Sequence, residues 1–156
     1  MHEKRWRDYE MTVNGLPQEI RYNADTVEGL FLPLLRRLTE MQRAAARRIL
    51  VFLAAPPATG KSTLLQFLEE LARTHDELPQ VQTLGMDGFH HTNAYLAAHR
   101  VLRDGVEIPL KNIKGAPETF DVALLAEKLK AAKAGVTTFP VYDRRIHDPR
   151  PDALKV

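Results

Sequence analysis

A layered α/β fold with a mainly parallel sheet is the class this sequence predicts, on three observations. Short apolar runs alternate with helical patterns along the chain. The run at 49–54 is apolar without interruption, as a strand buried on both faces of a parallel sheet requires. A short loop containing Pro and Gly leads from it directly into a helical pattern, giving the order strand, loop, helix. At 156 residues, 44% hydrophobic and 27% charged, the chain can bury a core of its own, and one domain covering 1–156 is expected.

The elements follow in order. Residues 9–13 and 19–22 flank Asn14-Gly15, a pair that tolerates positive φ and predicts a tight hairpin. Val27, Leu30, Phe31, Leu34, Leu35, Leu38 and Met41 then share one helical face, with Asp25 and Glu28 spaced as a cap and its reciprocal partner. Pro33 interrupts this pattern, so the helix kinks or starts there. After the strand at 49–54 and its loop, Leu64, Leu65, Phe67, Leu68 and Leu71 keep helical rhythm. A second strand is predicted at 81–86, a short helix at 93–103 and a loop at 104–118. A further helix carries Val122, Leu125 and Leu129 and stops at Gly135, and 136–141 reads as a short third strand.

Composition excludes several functions. Twenty-two Lys and Arg against twenty Asp and Glu leave a net charge of +2, with the basic residues scattered, so no nucleic-acid partner is expected. No apolar run is long enough to span a bilayer and the first ten residues lack an apolar targeting core, so the expectation is a cytoplasmic protein without a membrane partner. The absence of cysteine removes disulfides, zinc-thiolate sites and thiol nucleophiles.

The loop is the first chemical signal. Ala55, then Pro56-Pro57-Ala58-Thr59, then Gly60-Lys61-Ser62 fits the phosphate-loop pattern, with alanine at the first glycine position. Backbone N–H groups of Ala58, Thr59, Gly60 and the first helical turn would wrap a polyphosphate, aided by the positive end of the helix dipole. Lys61 would neutralise the outer phosphates. The Ser62 hydroxyl would ligate Mg²⁺, and Thr63 would reach an inner phosphate. A nucleoside triphosphate and Mg²⁺ are the implied ligands.

Met86-Asp87-Gly88-Phe89-His90-His91-Thr92-Asn93 follows the second predicted strand, at the rim where open α/β sheets bind ligands. Together with the phosphate loop and Lys114-Gly115-Ala116-Pro117-Glu118-Thr119-Phe120-Asp121, it resembles the P-loop small-molecule kinases grouped as pantothenate kinase, uridine kinase and phosphoribulokinase. The likeness is strongest to pantothenate kinase and to a bacterial branch labelled nucleoside or nucleotide kinase-like or fructose-transport kinase. It runs from about Val13 to Val156, with three motifs in order.

That resemblance implies a three-layer α/β/α P-loop NTPase fold, preceded here by a hairpin and a helix. It also implies ATP-dependent phosphoryl transfer to a hydroxyl of a small-molecule acceptor that is pantothenate-, nucleoside- or sugar-like. Asp87 matches the residue that accepts or orients the acceptor hydroxyl's proton and lies near the magnesium. His90 would orient substrate or Asp87; a metal role is not expected from a histidine pair with no further spaced ligands. Asn93 caps the following helix or touches substrate. Lys114 reaches an anionic substrate group or is simply solvated. Asp121 or Thr119 caps the next helix. Pro140-Val141-Tyr142 is similar to a segment lining the family's acceptor pocket, which makes Tyr142 and His147 candidate contacts. Arg144 and Arg145 grip an acceptor carboxylate or phosphate or point into solvent.

Relatives of this type continue with an apolar strand ending in Glu-Gly and an arginine-bearing lid, which the given sequence lacks. The expected sheet is therefore incomplete between the phosphate-loop strand and the strand before Asp87. Its unpaired backbone groups would each cost about 1–3 kcal/mol if buried, so the expectation is either a poorly stable segment or one that recruits a complementing strand, by homodimerisation or from another subunit. The alternative function is a non-catalytic nucleotide-binding remnant or interaction module of the same fold.

Overall fold

The computed structural model describes residues 5–13 and 15–156, and mixes helices with strands. The chain divides into two compact units, the first ending at Thr83 and the second running from Leu84 to Val156.

In the first unit, β1 (Trp6–Val13) pairs antiparallel with β2 (Leu16–Asn23), in register from Trp6 opposite Asn23 to Val13 opposite Leu16. This is the expected hairpin, longer at both ends. Gly15 has φ +80°, the left-handed value its turn needs, while Asn14 lies outside the described residues. The next helix begins as α1 (Ala24–Thr26), passes through a π-helical turn at Val27–Phe31 and continues as α2 (Leu32–Ala45). Its cap is Asn23, whose side chain accepts the Asp25 N–H at 2.8 Å. Asp25 and Glu28, expected as the capping pair, instead bind Arg5 at 3.1 Å each, and Glu28 also binds Arg7 at 2.9 Å. The π turn explains how Pro33 is accommodated. An interior proline removes a donor and crowds the preceding turn. Here Leu32 N–H reaches back to Val27 O, and the widened turn lets Pro33 enter in the first turn of α2.

The apolar face of that helix closes against α3 (Lys61–Arg73) around Phe67. Phe67 is 1% exposed and meets Tyr22 at 4.3 Å, Tyr9 at 4.8 Å and Phe31 at 5.8 Å between ring centroids. Tilted and edge-on rings at these separations are the preferred aromatic geometries. Leu35, Leu71 and Leu78 complete the core. Hairpin and helices thus fix the helix that follows the predicted phosphate loop.

The parallel sheet is where expectation and structure part. The three sheets of the described residues are all two-stranded and antiparallel. Residues 49–54 and 81–85 join none of them, and Val51 and Phe52 are 60% and 75% exposed rather than buried on both faces. A parallel strand has no local hydrogen bonds and needs a neighbour on its edge to become one. Among the described residues these segments have none.

The second unit starts with a 3₁₀ turn at Met86–Phe89 and α4 (Asn93–Ala98), which is capped by Thr92 and shorter than the predicted 93–103. The remainder of that stretch is β3 (Arg100–Arg103), paired with β4 (Val106–Pro109) across Asp104-Gly105. Both turn residues have positive φ, +50° and +79°, the signature of a tight two-residue hairpin. Further 3₁₀ turns lie at Leu110–Ile113 and Pro117–Thr119. Then come α5 (Val122–Ala134), β5 (Thr138–Asp143) and β6 (Asp148–Lys155), the last two antiparallel. Asp121 caps α5, accepting Leu124 N–H at 2.8 Å, while Thr119 is fully buried. Phe89 and Phe139, perpendicular at 5.7 Å, pack with Ala132 beneath α5.

Gly88 sits where β5 comes closest. A Cβ there would lie 2.3 Å from Pro140 O and 2.7 Å from its carbonyl carbon, so no side chain fits without moving the strand. Two outcomes follow. Phe67→Ala should lower unfolding free energy by about 3–5 kcal/mol in urea titrations. Gly88→Ala, by overpacking against backbone, should cost about 1–3 kcal/mol; wild-type stability for Gly88→Ala would contradict the contact.

Candidate functional site

The predicted phosphate loop, residues 55–63, belongs to the first unit. Gly60, at φ +83°, immediately precedes α3, and a Cβ on it would meet nothing, so the position needs glycine for its backbone angle and not for space. Ala58 also adopts positive φ, +61°. The loop is tied across itself: Thr59 Oγ1 donates to Pro56 O at 2.8 Å, and Lys61 Nζ donates to the same carbonyl at 2.7 Å. No side chain caps α3 and its first turn holds no acidic residue. The amides of Lys61, Ser62 and Thr63 therefore point out of an uncapped, uncompensated helix end, which favours an anion.

The other expected residues lie in the second unit. Asp87 is exposed in the 3₁₀ turn, and its carboxylate makes no hydrogen bond with the described residues. The stretch behind it is fastened at several points. Asp121 N–H donates to Phe89 O at 2.8 Å, His91 N–H to Thr119 O at 2.9 Å, and His90 N–H to Asp87 O at 3.2 Å. His90 stacks on Phe120 at 3.8 Å and stands edge-on to Tyr142 at 6.2 Å. Its Nδ1 lies 3.2 Å from Thr119 O; a carbonyl only accepts, so that nitrogen donates. The His90 ring is thus held by Thr119 and Phe120, and not by the Asp87 carboxylate.

Asn93, Lys114, Tyr142 and His147 converge. Lys114 Nζ donates to Asn93 Oδ1 at 2.8 Å, to Tyr142 Oη at 3.1 Å and to His147 O at 3.2 Å, which uses all three ammonium protons. The ammonium also sits 5.2 Å from the Tyr142 ring centroid. Asn93 Nδ2 and Tyr142 Oη each donate to His147 O, at 2.9 and 2.8 Å. Asn93 does not cap α4; Thr92 does, and Asn93 N–H goes to Asp148 Oδ1 at 2.7 Å. Lys114 is exposed, yet its ammonium is tied to Asn93, Tyr142 and His147 and is not left to solvent alone. His147 enters through its carbonyl while its imidazole is exposed. Arg144 is exposed and joins no ion pair of the described residues.

Three contributors carried little sequence signal. Asp148 holds Asn93 from 55 positions away, and Phe120 and Thr119 support His90 from the Pro-Glu-Thr-Phe segment. The turn between β5 and β6 is stabilised by Asp143. Its carboxyl is held below the usual carboxylate range, first by the Arg145 N–H it accepts at 2.8 Å and also by Arg150 at 2.7 Å, against partial desolvation.

Relatives bear on both parts. The sequence is 50% identical over 148 residues to the uncharacterized protein YggC of Escherichia coli K12, covering 94% of this chain and 59% of that protein. It is 32% identical over 162 aligned positions to the pantothenate kinase of Cronobacter sakazakii, covering 92% and 48%. The pantothenate kinase of Rhizobium etli matches at 33% over 106 residues, 67% of this chain and 29% of that one. Among solved structures, the "putative fructose transport system kinase" of Silicibacter sp. TM1040 superposes with a TM-score of 0.64 at 30% identity, over 84% of this chain and 57% of that one. No family model matches the sequence. These relationships assign the chain to the P-loop kinase family that includes the pantothenate kinases. The chain spans about three fifths of YggC and half or less of these pantothenate kinases. No helix among the described residues is long and apolar enough to cross a membrane.

Asp143 supplies a pH test. Because its folded value is depressed, its contribution is fully present above the unfolded value of about 4 and is lost as pH falls through the folded one. The Arg145 amide resonance should therefore titrate with a midpoint below about 4. A midpoint above the usual carboxylate range would contradict the turn's geometry.

Proposed function

We propose that this chain binds ATP at residues 55–63 and serves phosphoryl transfer to a hydroxyl of a small molecule held at Asn93, Lys114 and Tyr142. The observation that carries the reading is the uncapped, acid-free start of α3 behind a left-handed Gly60, in a chain related to named kinases on both sequence and structural comparison.

In this reading the amides of residues 58–63 take the triphosphate, and Lys61 exchanges Pro56 O for a terminal phosphate oxygen. Mg²⁺, when bound, supplies charge neutralisation on the transferring group. The Ser62 hydroxyl suits that cation as a hard oxygen donor, and so does the Asp87 carboxylate, which has no competing partner among the described residues. Asp87 takes the proton of the acceptor hydroxyl as it attacks. Lys114, already held by three neutral acceptors, presents a fixed positive charge to the acceptor, and His90 offers Nε2 beside Tyr142. A three-layer P-loop arrangement with a parallel sheet completed by an added strand, from a second copy or another polypeptide, belongs to this proposal. So does a cytoplasmic location.

Lys61→Ala should weaken ATP binding by at least about tenfold in calorimetric titration, since it removes a charge-assisted contact. Asp87→Asn should retain ATP affinity and lower acceptor-dependent ADP release by about 10²-fold or more over a panel of pantothenate, nucleosides and sugars. ATP binding without turnover on any acceptor would favour a nucleotide-binding module without catalysis. Unchanged ATP affinity in Lys61→Ala would remove both readings.

A further inference from the structure

We propose that His147 is a positioning residue that acts through its main-chain carbonyl and its left-handed backbone, and that its imidazole is dispensable. The carbonyl receives three donors: Tyr142 Oη at 2.8 Å, Asn93 Nδ2 at 2.9 Å and Lys114 Nζ at 3.2 Å. Those side chains come from the end of β5, the start of α4 and the loop after the 3₁₀ turn at Leu110–Ile113. One oxygen therefore orients groups from three segments widely separated in sequence. It offers two lone pairs to three donors, so its direction decides how they share it.

The left-handed backbone at His147, φ +52°, is part of what sets that direction. Positive φ is uncommon for residues other than glycine, is tolerated best by Asn, Asp and His, and is a severe strain for a β-branched side chain. Asp143 fixes the turn from its other side, accepting Arg145 N–H at 2.8 Å and pairing with Arg150 at 2.7 Å. The imidazole, by contrast, is exposed and makes no hydrogen bond to the described residues. The consequence for acceptor binding rests on the kinase reading; the consequence for the hydrogen-bond network does not.

The test compares His147→Gly, His147→Asn and His147→Val in the full chain, reading the Asn93 side-chain amide by ¹H–¹⁵N NMR with hydrogen exchange. The Gly and Asn variants should keep the wild-type Asn93 resonances and exchange rate. His147→Val should shift both and speed exchange about tenfold, because the turned carbonyl releases Nδ2. Disruption in His147→Gly would place the role in the imidazole and overturn the proposal. An unperturbed Asn93 amide in a folded His147→Val would overturn it as well. If His147→Val does not fold, the Gly and Asn variants decide alone: retention supports the carbonyl role and loss refutes it. The readout needs no turnover, so a chain that phosphorylates nothing can still confirm or refute it.

Discussion

The candidate acceptor site depends on the approach of β5 to the turn that carries Asp87. Without a side chain at Gly88, the carbonyl of Pro140 lies where a Cβ would be, and two backbones meet at a separation no other residue allows. From that contact the rest of the second unit follows. Phe89 turns inward onto Phe139, the next residues are clamped to Thr119 and Asp121, and β5 delivers Tyr142 beside His90. Asp-Gly here is more than a turn pair: the aspartate is left exposed because its glycine neighbour is wedged under a strand.

The first unit solves a different problem, that of holding a loop whose own side chains contribute little packing. The aromatic cluster on Phe67 ties α3 to the hairpin and to the helix through α2. With the helix fixed, Gly60 can break sharply into the loop, and Thr59 and Lys61 close it on Pro56 O. Lys61 thereby waits on a neutral carbonyl, an acceptor that an anionic oxygen outcompetes because charge-assisted hydrogen bonds are the stronger kind. The π turn ahead of α2 belongs to the same economy of form, since it admits Pro33 without breaking the helix that packs on Phe67.

Legibility followed the range of the interactions. The hairpin around Gly15, the helix through Leu35, the helix after the loop and α5 were readable, because each is specified by neighbours within a few positions. The turn into α3 at Gly60 is local in the same way. The strands at 49–54 and 81–86 were expected from apolar runs and are absent, because a run of β-formers states a preference that only a neighbouring strand can realise. Asp104-Gly105 carried a hairpin signal that was read as loop. Asn93, Lys114, Tyr142 and His147 were named one by one from motifs, yet nothing in their spacing showed that they meet.

The sequence by itself named the candidates for the chemistry: a lysine and hydroxyls behind a glycine, a carboxylate beside a second glycine, and a set of polar residues scattered from His90 to His147. Only the tertiary structure decided that Lys114 spends its protons on Asn93, Tyr142 and a backbone carbonyl, and that His147 takes part through that carbonyl. The division has a physical cause. Backbone angles and helix ends are set by local sterics and hydrogen bonding, whereas a contact spanning 21 to 55 positions exists only after packing has overcome the entropy of closing the chain between them.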